Sequence, residues 1–327
     1  MSSILDQFLL IGRETTYATP AALTRGIEGQ ADAFAINRSP LESIGFRAGM
    51  AAVRADRRKM ITEGAKGKID TDVMSSGVGL LLDSAFDTAV AAGTGATAAK
   101  TWSWASGLTG PRKSLTVQMA RSRTSGDATP LDPFTAIGGV VTGWTIHAEV
   151  SKLTSLSLDI DYADVLTSVA LGTPVYPAAG MPFDWTAASV SVAGQPVQAC
   201  RVFEVTEDLK MDDKRLYLRN SQVKAQPVRN NVPNLKGSMD TDYQDSRLDG
   251  YMRAGTVVPI SFVQTGEVID GTTRASLTVT IPAAQFDGDE PQSDSTKLTT
   301  QKLPFQILHN GVDAPVTVTL VTLDTAL

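Results

Sequence analysis

The residues best suited to catalysis or metal binding are few in this 327-residue chain and lie far apart. Its only histidines are His147 and His309, and its only cysteine is Cys200. A zinc site needs histidine or cysteine ligands at close spacing, and a catalytic nucleophile needs a nearby base. The sequence offers neither arrangement. We therefore interpret the histidines as residues near strand ends and expect no metal and no cofactor.

A glycine-rich segment, Gly93 to Thr101, is superficially like a phosphate-binding loop. The glycine that should precede its lysine is replaced by Ala99, and Trp102 follows where a helix should begin. No Gly-x-Ser-x-Gly nucleophile elbow occurs either. The sequence predicts a protein that is not an enzyme.

Two pairs of aspartates, Asp70 with Asp72 and Asp240 with Asp242, occupy alternating positions in predicted strands. Side chains two residues apart in a strand point to the same side of the sheet. The pairs could form a ring of acidic groups when copies of the chain assemble around an axis. They could equally belong to an ordinary solvent face, with the intervening threonines packed inward. The sequence leaves both interpretations open.

A basic run, Arg-Ala-Asp-Arg-Arg-Lys, occupies residues 54–59. Such a run usually forms a solvated surface. The alternative is contact with an acidic patch on a neighbouring subunit.

Composition places the chain among soluble, β-rich proteins. Hydrophobic residues make up 42%, charged residues 20% and aromatic residues 6%, and threonine, valine and alanine recur throughout. The net charge of −6 argues against tight binding of nucleic acid through its phosphates, although an acidic protein can surround DNA and leave it mobile. We expect no signal sequence, no membrane anchor and no intrachain disulfide.

A repeated heptapeptide indicates how the chain is organised. Lys-Gly-Lys-Ile-Asp-Thr-Asp at 66–72 returns as Lys-Gly-Ser-Met-Asp-Thr-Asp at 236–242, an offset of 170 residues. Each copy precedes apolar residues at helical spacing: Val78, Leu81 and Leu82 in the first, which we expect in the core, and Leu248, Tyr251 and Met252 in the second. A Ser-Leu-Thr-Val match between 114–117 and 276–279 has an offset of 162, which also relates the two histidines. These matches predict that the chain contains two copies of one fold.

The pattern of apolar residues predicts several strands and one short helix in each copy, a β-dominated α+β fold. Predicted helices cover 73–86 and 246–254. Alternating Leu156, Leu158, Ile160 and Tyr162 predict a strand with one buried face. We divide the chain into an N-terminal arm (1–30), a first domain (31–172), a proline- and glycine-rich linker (173–183) and a second domain (184–327). The arm shows turn-forming residues and no helical period, so we expect it to be extended or ordered only by a partner.

The opening Gly-Arg-Glu-Thr-Thr-Tyr-Ala-Thr-Pro at 12–20 resembles the start of tail tube proteins of long-tailed bacteriophages, which often read Glu-Thr-Thr-Tyr-Gly-Thr; Ala18 stands at that glycine. The later order of strands, helix and small-residue loop resembles the same family over nearly the whole chain. The resemblance implies two tandem β-sandwich or barrel domains of tail-tube type, each with one short flanking helix. It also implies a virion protein made in the cytoplasm of the bacterial host.

The resemblance further implies stacked rings with six-fold or pseudo-six-fold symmetry, through which double-stranded DNA leaves the capsid without being bound specifically. A duplicated chain would then form trimeric rings, and its partners would be the tape measure protein, the tail terminator and the baseplate or distal tail proteins. On this hypothesis Asp70, Asp72, Asp240 and Asp242 are candidate lumen-facing residues. The arm and the loop at 87–101 are candidate inter-ring contacts, with Glu14, Tyr17, Thr94 and Lys100 as their representatives.

The alternative is a non-enzymatic duplicated β-domain that acts as a binding module, such as a capsid decoration protein or an adhesin. Self-assembly into rings or tubes separates the two hypotheses.

Overall fold

The fold was analysed in a computed structural model of the chain. It describes residues 7–31, 34–45, 47–86, 91–92, 99–107, 112–123, 131–177, 180–288, 290–294 and 296–324.

Strands dominate the described residues. In the first half they are β1 (Phe8–Arg13), β2 (Arg25–Ile27), β3 (Gly29–Ala31), β4 (Ala35–Glu42), β5 (Arg58–Asp72), β6 (Ala91–Ala92), β7 (Lys100–Ala105), β8 (Leu115–Ser122), β9 (Leu131–Glu149), β10 (Ser155–Tyr162) and β11 (Asp164–Leu166). In the second half they are β12 (Ala188–Val192), β13 (Gln195–Pro196), β14 (Cys200–Asp208), β15 (Met211–Asp212), β16 (Val228–Arg229), β17 (Asn234–Asp242), β18 (Val258–Asp270), β19 (Thr273–Phe286), β20 (Gln292–Asp294), β21 (Lys297–Ile307) and β22 (Thr317–Thr322). The predicted β-dominated α+β class is confirmed.

Two α-helices lie in the described residues, α1 (Gly79–Ala85) after β5 and α2 (Arg247–Ala254) after β17. The helix predicted over 73–86 is shorter than expected because Gly77 has a φ of 84°, which is outside the helical region. Gly255, with a φ of 61°, ends α2 in the left-handed conformation that glycine adopts readily. Val78, Leu81 and Leu82 are buried, as predicted.

A continuous sheet runs through both halves of the chain. From one edge, β3 and β4 pair with β5, and then come β10, the C-terminal part of β9, β14, β17 and β21. The end of β19 and then β20 pair with the far side of β21. Every neighbouring pair is antiparallel, so β5 and β17 run in the same direction. We call this the shared sheet.

Smaller sheets cover one face of the shared sheet. In the first half, β1 pairs with β2 and β8, and the N-terminal part of β9 pairs with β8 and β11. In the second half, β18 pairs with β12 and β19, and β22 joins β19 to β7. Stacked rings of Phe203 and Phe262, with centroids 4.7 Å apart, join β14 to β18. Buried side chains of both halves form one contiguous core.

The two halves have matching ladders. In the first, Leu41 is opposite Lys59. In the second, Met211 is opposite Arg229, each shifted by 170 residues. On the other side of the repeated strand, β10 lies beside β5 as β21 lies beside β17, with Ser155 opposite Asp72 and Thr300 opposite Asp242.

The Ser-Leu-Thr-Val match at offset 162 is wrong as a guide to equivalent strands. Its first copy begins β8, which pairs with β1 and β9, whereas its second lies in β19, which pairs with β18 and β22. The ladders instead relate β9 to β19, because both leave a covering sheet and enter the shared sheet along their length. Alternating small polar and apolar residues suit any half-buried strand, so a four-residue match is weak evidence.

The N-terminal residues correct another expectation. Leu9, Leu10 and Ile11 in β1 are at most 5% exposed, and β1 pairs with β8 along its whole length. Residues 8–13 therefore belong to the first half's core and are not an arm that waits for a partner. The linker region is also fixed within the chain: Val175 bridges to Arg25, and the buried Phe183 donates its backbone N–H to Val73.

Candidate functional site: a polar sheet face

The shared sheet has one buried face and one polar face. The buried face carries large apolar side chains from all six central strands: Ile69, Leu158, Trp144, Ile146, Phe203, Val205, Met239, Leu303 and Phe305. Residues between them on each strand point the other way. A covered face and a solvated face are usual for an antiparallel sheet, and here strands of both halves contribute to the solvated one.

The ladders place the polar side chains in rows. One row runs from Asp72 through Ser155, His147 and Glu204 to Ser238. The next runs from Asp70 through Ser157, Thr145 and Thr206 to Lys236. Carboxylates outnumber lysines and arginines on this face: its acids are Asp70, Asp72, Glu149, Asp159, Glu204, Asp208, Asp240 and Asp242, and its lysines and arginines are Lys66, Lys68, Arg201, Lys236 and Lys302.

The repeated aspartates lie on this polar face, with Thr71 and Thr241 buried beneath them. Asp70 accepts a hydrogen bond from Ser157 Oγ and pairs with Lys68 at 3.0 Å. Asp242 pairs with Arg201 at 2.8 Å. The structure brings the two pairs into one sheet but places three strands, β10, β9 and β14, between their own strands.

His147 sits within a row of acids on the polar face. Its Nδ1 lies 3.1 Å from Glu204 Oε2, and its Nε2 lies 3.4 Å from Glu149 Oε2. Lys152 also pairs with Glu149, at 2.6 Å. His309 lies beyond β21, where its Nδ1 accepts the N–H of Gly311. The histidines therefore occupy different environments, and the suggestion that they are equivalent positions is wrong.

The thiol of Cys200, at the start of β14, is partly buried. Burial raises the pKa of the Cys200 thiol to about 11, so the thiol is almost wholly protonated at neutral pH. Among the described residues, no group of three or more His, Cys, Asp or Glu side chains is placed to hold a metal ion.

Glu14, predicted as an inter-ring contact, lies inside the chain. Its carboxylate accepts hydrogen bonds from Thr116 Oγ1 at 2.8 Å, the Gly138 N–H at 2.8 Å and the Ala18 N–H at 2.9 Å. Tyr17 packs against Gly138, and burial raises the pKa of its phenol. The Glu-Thr-Thr-Tyr segment thus closes a turn over β8 and β9, and its carboxylate is already occupied within the chain.

The small-residue loop lies mostly outside the described residues, Thr94 included. Lys100 begins β7 and is opposite Thr322 of β22. Lys100 therefore starts a strand of the second half's covering sheet.

A family model described as phage tail tube protein matches residues 5–307. The chain belongs to this family. A comparison with curated proteins finds no match to it. This tail tube protein is a structural subunit of the virion tail. Its family is typically non-enzymatic. No helix in the described part of the tail tube protein is long and apolar enough to cross a membrane.

Sequence reasoning identified the aspartates that β5 and β17 contribute to the polar face of this tail tube protein. It missed the polar residues on the strands between them. The centre is built from β9, β10 and β14, whose exposed residues include serine and threonine as well as charge. The alternation of buried and polar residues in 200–208 was the signal available, since Phe203 and Val205 alternate with Glu204 and Thr206.

Proposed function

We propose that this tail tube protein forms a closed ring of three chains, that rings stack into a tube, and that the polar face of the shared sheet lines the lumen. The chain is a duplicated tail-tube unit in this proposal, so three chains supply six similar units. The genome passes along the lumen during ejection, and the tape measure protein occupies it beforehand. The tail terminator and the baseplate or distal tail proteins cap the tube, which assembles after synthesis in the host cytoplasm.

The observation that carries the proposal is the ladder between β9 and β14. In the order of the shared sheet, it joins the outermost strand of the first unit, β9, to the outermost strand of the second, β14, from Val202 opposite Glu149 to Asp208 opposite Gly143. The same two strand types remain as the outer edges of the shared sheet. Among the described residues, β3 and β4 pair only with β5 on one edge, and β20 pairs only with β21 on the other. An exposed edge is a template for pairing with another chain.

The internal junction supports a specific register for the junction between chains. Thr145 of β9 and Thr206 of β14 are opposite each other, with their Oγ1 atoms 3.0 Å apart. Ladder by ladder, Thr206 corresponds to Ala35, because each is opposite the lysine that begins the repeated heptapeptide. Thr145 corresponds to Glu290, because His147 and Gln292 are each opposite the equivalent strand residues Ser155 and Thr300. The proposed neighbours are Ala35 of one chain and Glu290 of the next.

A cysteine pair tests this register and the ring size together. In the Ala35→Cys/Glu290→Cys variant, sulfur atoms would occupy positions like those of the two threonine oxygens. Mild oxidation should give covalent dimers and trimers and nothing larger on a non-reducing gel. The wild-type chain controls for Cys200, and the Ala35→Cys/Gln292→Cys variant, two residues out of register, should cross-link poorly. Equal cross-linking of both variants would contradict the register, and covalent species larger than trimers would contradict the closed three-chain ring.

The polar face explains passage without specific binding. Its carboxylates repel the DNA phosphates, so the polymer remains mobile in a lumen of like charge. No observation favours the binding-module alternative over this proposal.

A further inference from the structure

The segment before β12 lies between two strand ends of the first half. The backbone N–H of Phe183 donates to the Val73 carbonyl, just after β5, and the Phe183 carbonyl accepts from the Thr154 N–H, just before β10, each at 2.9 Å. Asp184 forms an isolated antiparallel bridge with Leu153. Val73 and Thr154 are each only 1% exposed. A segment of the second half therefore closes one end of the first, and we call it the bridging segment.

The equivalent strand ends of the second half are more exposed. Tyr243 follows β17 as Val73 follows β5, and its N–H donates to the Thr299 carbonyl as the Val73 N–H donates to the Thr154 carbonyl. Yet Tyr243 is 37% exposed. Among the described residues, no backbone N–H donates to the Tyr243 carbonyl. Within that part of the chain, the second half has the same pair of strand ends without a segment that covers them.

β1 and β12 are equivalent strands, which identifies the counterpart of the bridging segment. Ile11 of β1 is opposite Val117 of β8, and Val192 of β12 is opposite Ile260 of β18. The ladders that join β8 to β9 and β18 to β19 both shift register immediately before these partners, Val117 and Ile260. The two sets of ladders therefore align Ile11 with Val192.

The counterpart of the bridging segment lies at the start of the sequence. Counting back from the aligned pair, Ser2 corresponds to Phe183 and Ser3 to Asp184. Residues 1–6 lie outside the part of the chain that the structure describes. In the internal contact, the bridging segment lies on the unit across the β9–β14 ladder. Its counterpart would lie on the unit across the proposed junction between β20 of one chain and β4 of the next.

We propose that residues 1–4 of one chain bind between the end of β17 and the start of β21 of the neighbouring chain in the ring. This inference rests on the proposed function and names a second contact at the same junction. The Ser2 N–H donates to the Tyr243 carbonyl of the next chain, a main-chain contact of the kind that adds a strand to a sheet. Side-chain sizes are complementary, because the internal contact joins Phe183 to Val73 and this one joins Ser2 to Tyr243.

A disulfide between chains tests the contact. Leu298, 74% exposed, is the counterpart of Leu153, which bridges to Asp184 in the internal contact. Rings of the Ser3→Cys/Leu298→Cys variant should give covalent dimers and trimers after mild oxidation, seen on a non-reducing gel. In the matched control, Ser3→Cys/Leu153→Cys, the bridging segment already occupies the position. Its covalent species should not exceed those of the wild-type chain, which retains Cys200.

An exchange of side-chain sizes is a second test. Ser2→Phe should lower the yield of rings, because the phenyl ring and the Tyr243 side chain would compete for one space. Adding Tyr243→Val should restore the yield, because this pair reproduces the internal contact. Negative-stain microscopy counts the rings, and circular dichroism checks that each variant is folded.

The outcomes separate this inference from the proposed function. Rings of Ser3→Cys/Leu298→Cys that give no covalent dimers, or only disulfides within single chains, would overturn the inference alone. Equal cross-linking of the matched control would do the same, and so would a yield from Ser2→Phe/Tyr243→Val no higher than that from Ser2→Phe. A wild-type chain that forms no rings would overturn the proposed function and the inference with it.

Discussion

Lys224 reaches from the second half of the chain into the first and meets Asp161 where both side chains are at most 3% exposed. Burial raises the pKa of Asp161 to about 6, although Lys224 favours its ionised form. Other titratable groups near this carboxylate are Lys66, Asp213 and Tyr162. Burying such a pair brings little net stability, but removing one partner leaves a buried charge uncompensated.

We expect Lys224→Met to lower the free energy of unfolding by about 3–5 kcal/mol at pH 8. The folded-state pKa of Asp161 is above its unfolded value, so the penalty is complete above the folded pKa and is relieved as pH falls through it. The loss should therefore shrink at pH 5, where Asp161 is protonated. Urea denaturation at both pH values measures this. Lys214→Met, in the exposed part of the same loop, is the matched control. An equal loss at pH 5 and pH 8 would show that the buried charge is not the cause.

Residue-level prediction from sequence succeeded where a local period decides and failed where a distant partner does. The inward threonines and outward aspartates follow from strand geometry alone. Nothing in the sequence around Lys224 predicts that its side chain is buried, because a lysine is almost never buried unless it is paired. Its partner, Asp161, lies 63 residues earlier in the chain. The environment of Glu14 escaped prediction for the same reason: two of its hydrogen-bond donors, Thr116 and Gly138, lie 102 and 124 residues later in the chain.

At the scale of elements, β1 shows how a short strand escapes prediction. Its apolar run, Phe8 to Ile11, is only four residues long and lies next to a turn-rich segment. β9 was only half predicted because its residues 136–141 are buried continuously, without the alternation that identifies a half-exposed strand. By contrast, β10 was predicted closely, since it alternates on a sheet with one solvated face.

The placement of β1 in the core predicts a large effect from a small truncation. Leu10 is completely buried, so Leu10→Ala should destabilise the chain by about 2–5 kcal/mol through lost burial and a cavity. Ile44→Ala, at a fully exposed position, should leave the free energy of unfolding within about 0.5 kcal/mol of wild type. Thermal or urea unfolding of both variants measures the difference. A Leu10→Ala chain as stable as wild type would contradict the placement of residues 8–13 in the core.

At the scale of the whole molecule, the β9–β14 ladder joins strands of the two halves into one sheet within a single chain. In the proposed ring, the junction between β20 of one chain and β4 of the next is the one that assembly must form. The heptapeptide directed sequence reasoning to two strands of this sheet, since residues 66–72 lie in β5 and residues 236–242 lie in β17. It could not find the register that we propose between chains, because β4 and β20 are far apart in the sequence and no local pattern relates them.

The polar face gives the last prediction, which concerns charge in the assembled lumen. Asp70→Lys/Asp240→Lys changes the net charge of this face by four units per chain and leaves the edge strands β3, β4 and β20 unchanged. Tubes of this variant should retain short duplex DNA at low salt and release it as salt rises, because each neutralised phosphate adds about 0.9 to the slope of log affinity against log salt. Asp270→Lys/Asp313→Lys changes the net charge equally away from the polar face, and its tubes should retain no more DNA than wild type. Sedimentation of tubes with labelled duplex measures retention. Equal retention by both variants would place Asp70 and Asp240 outside the lumen.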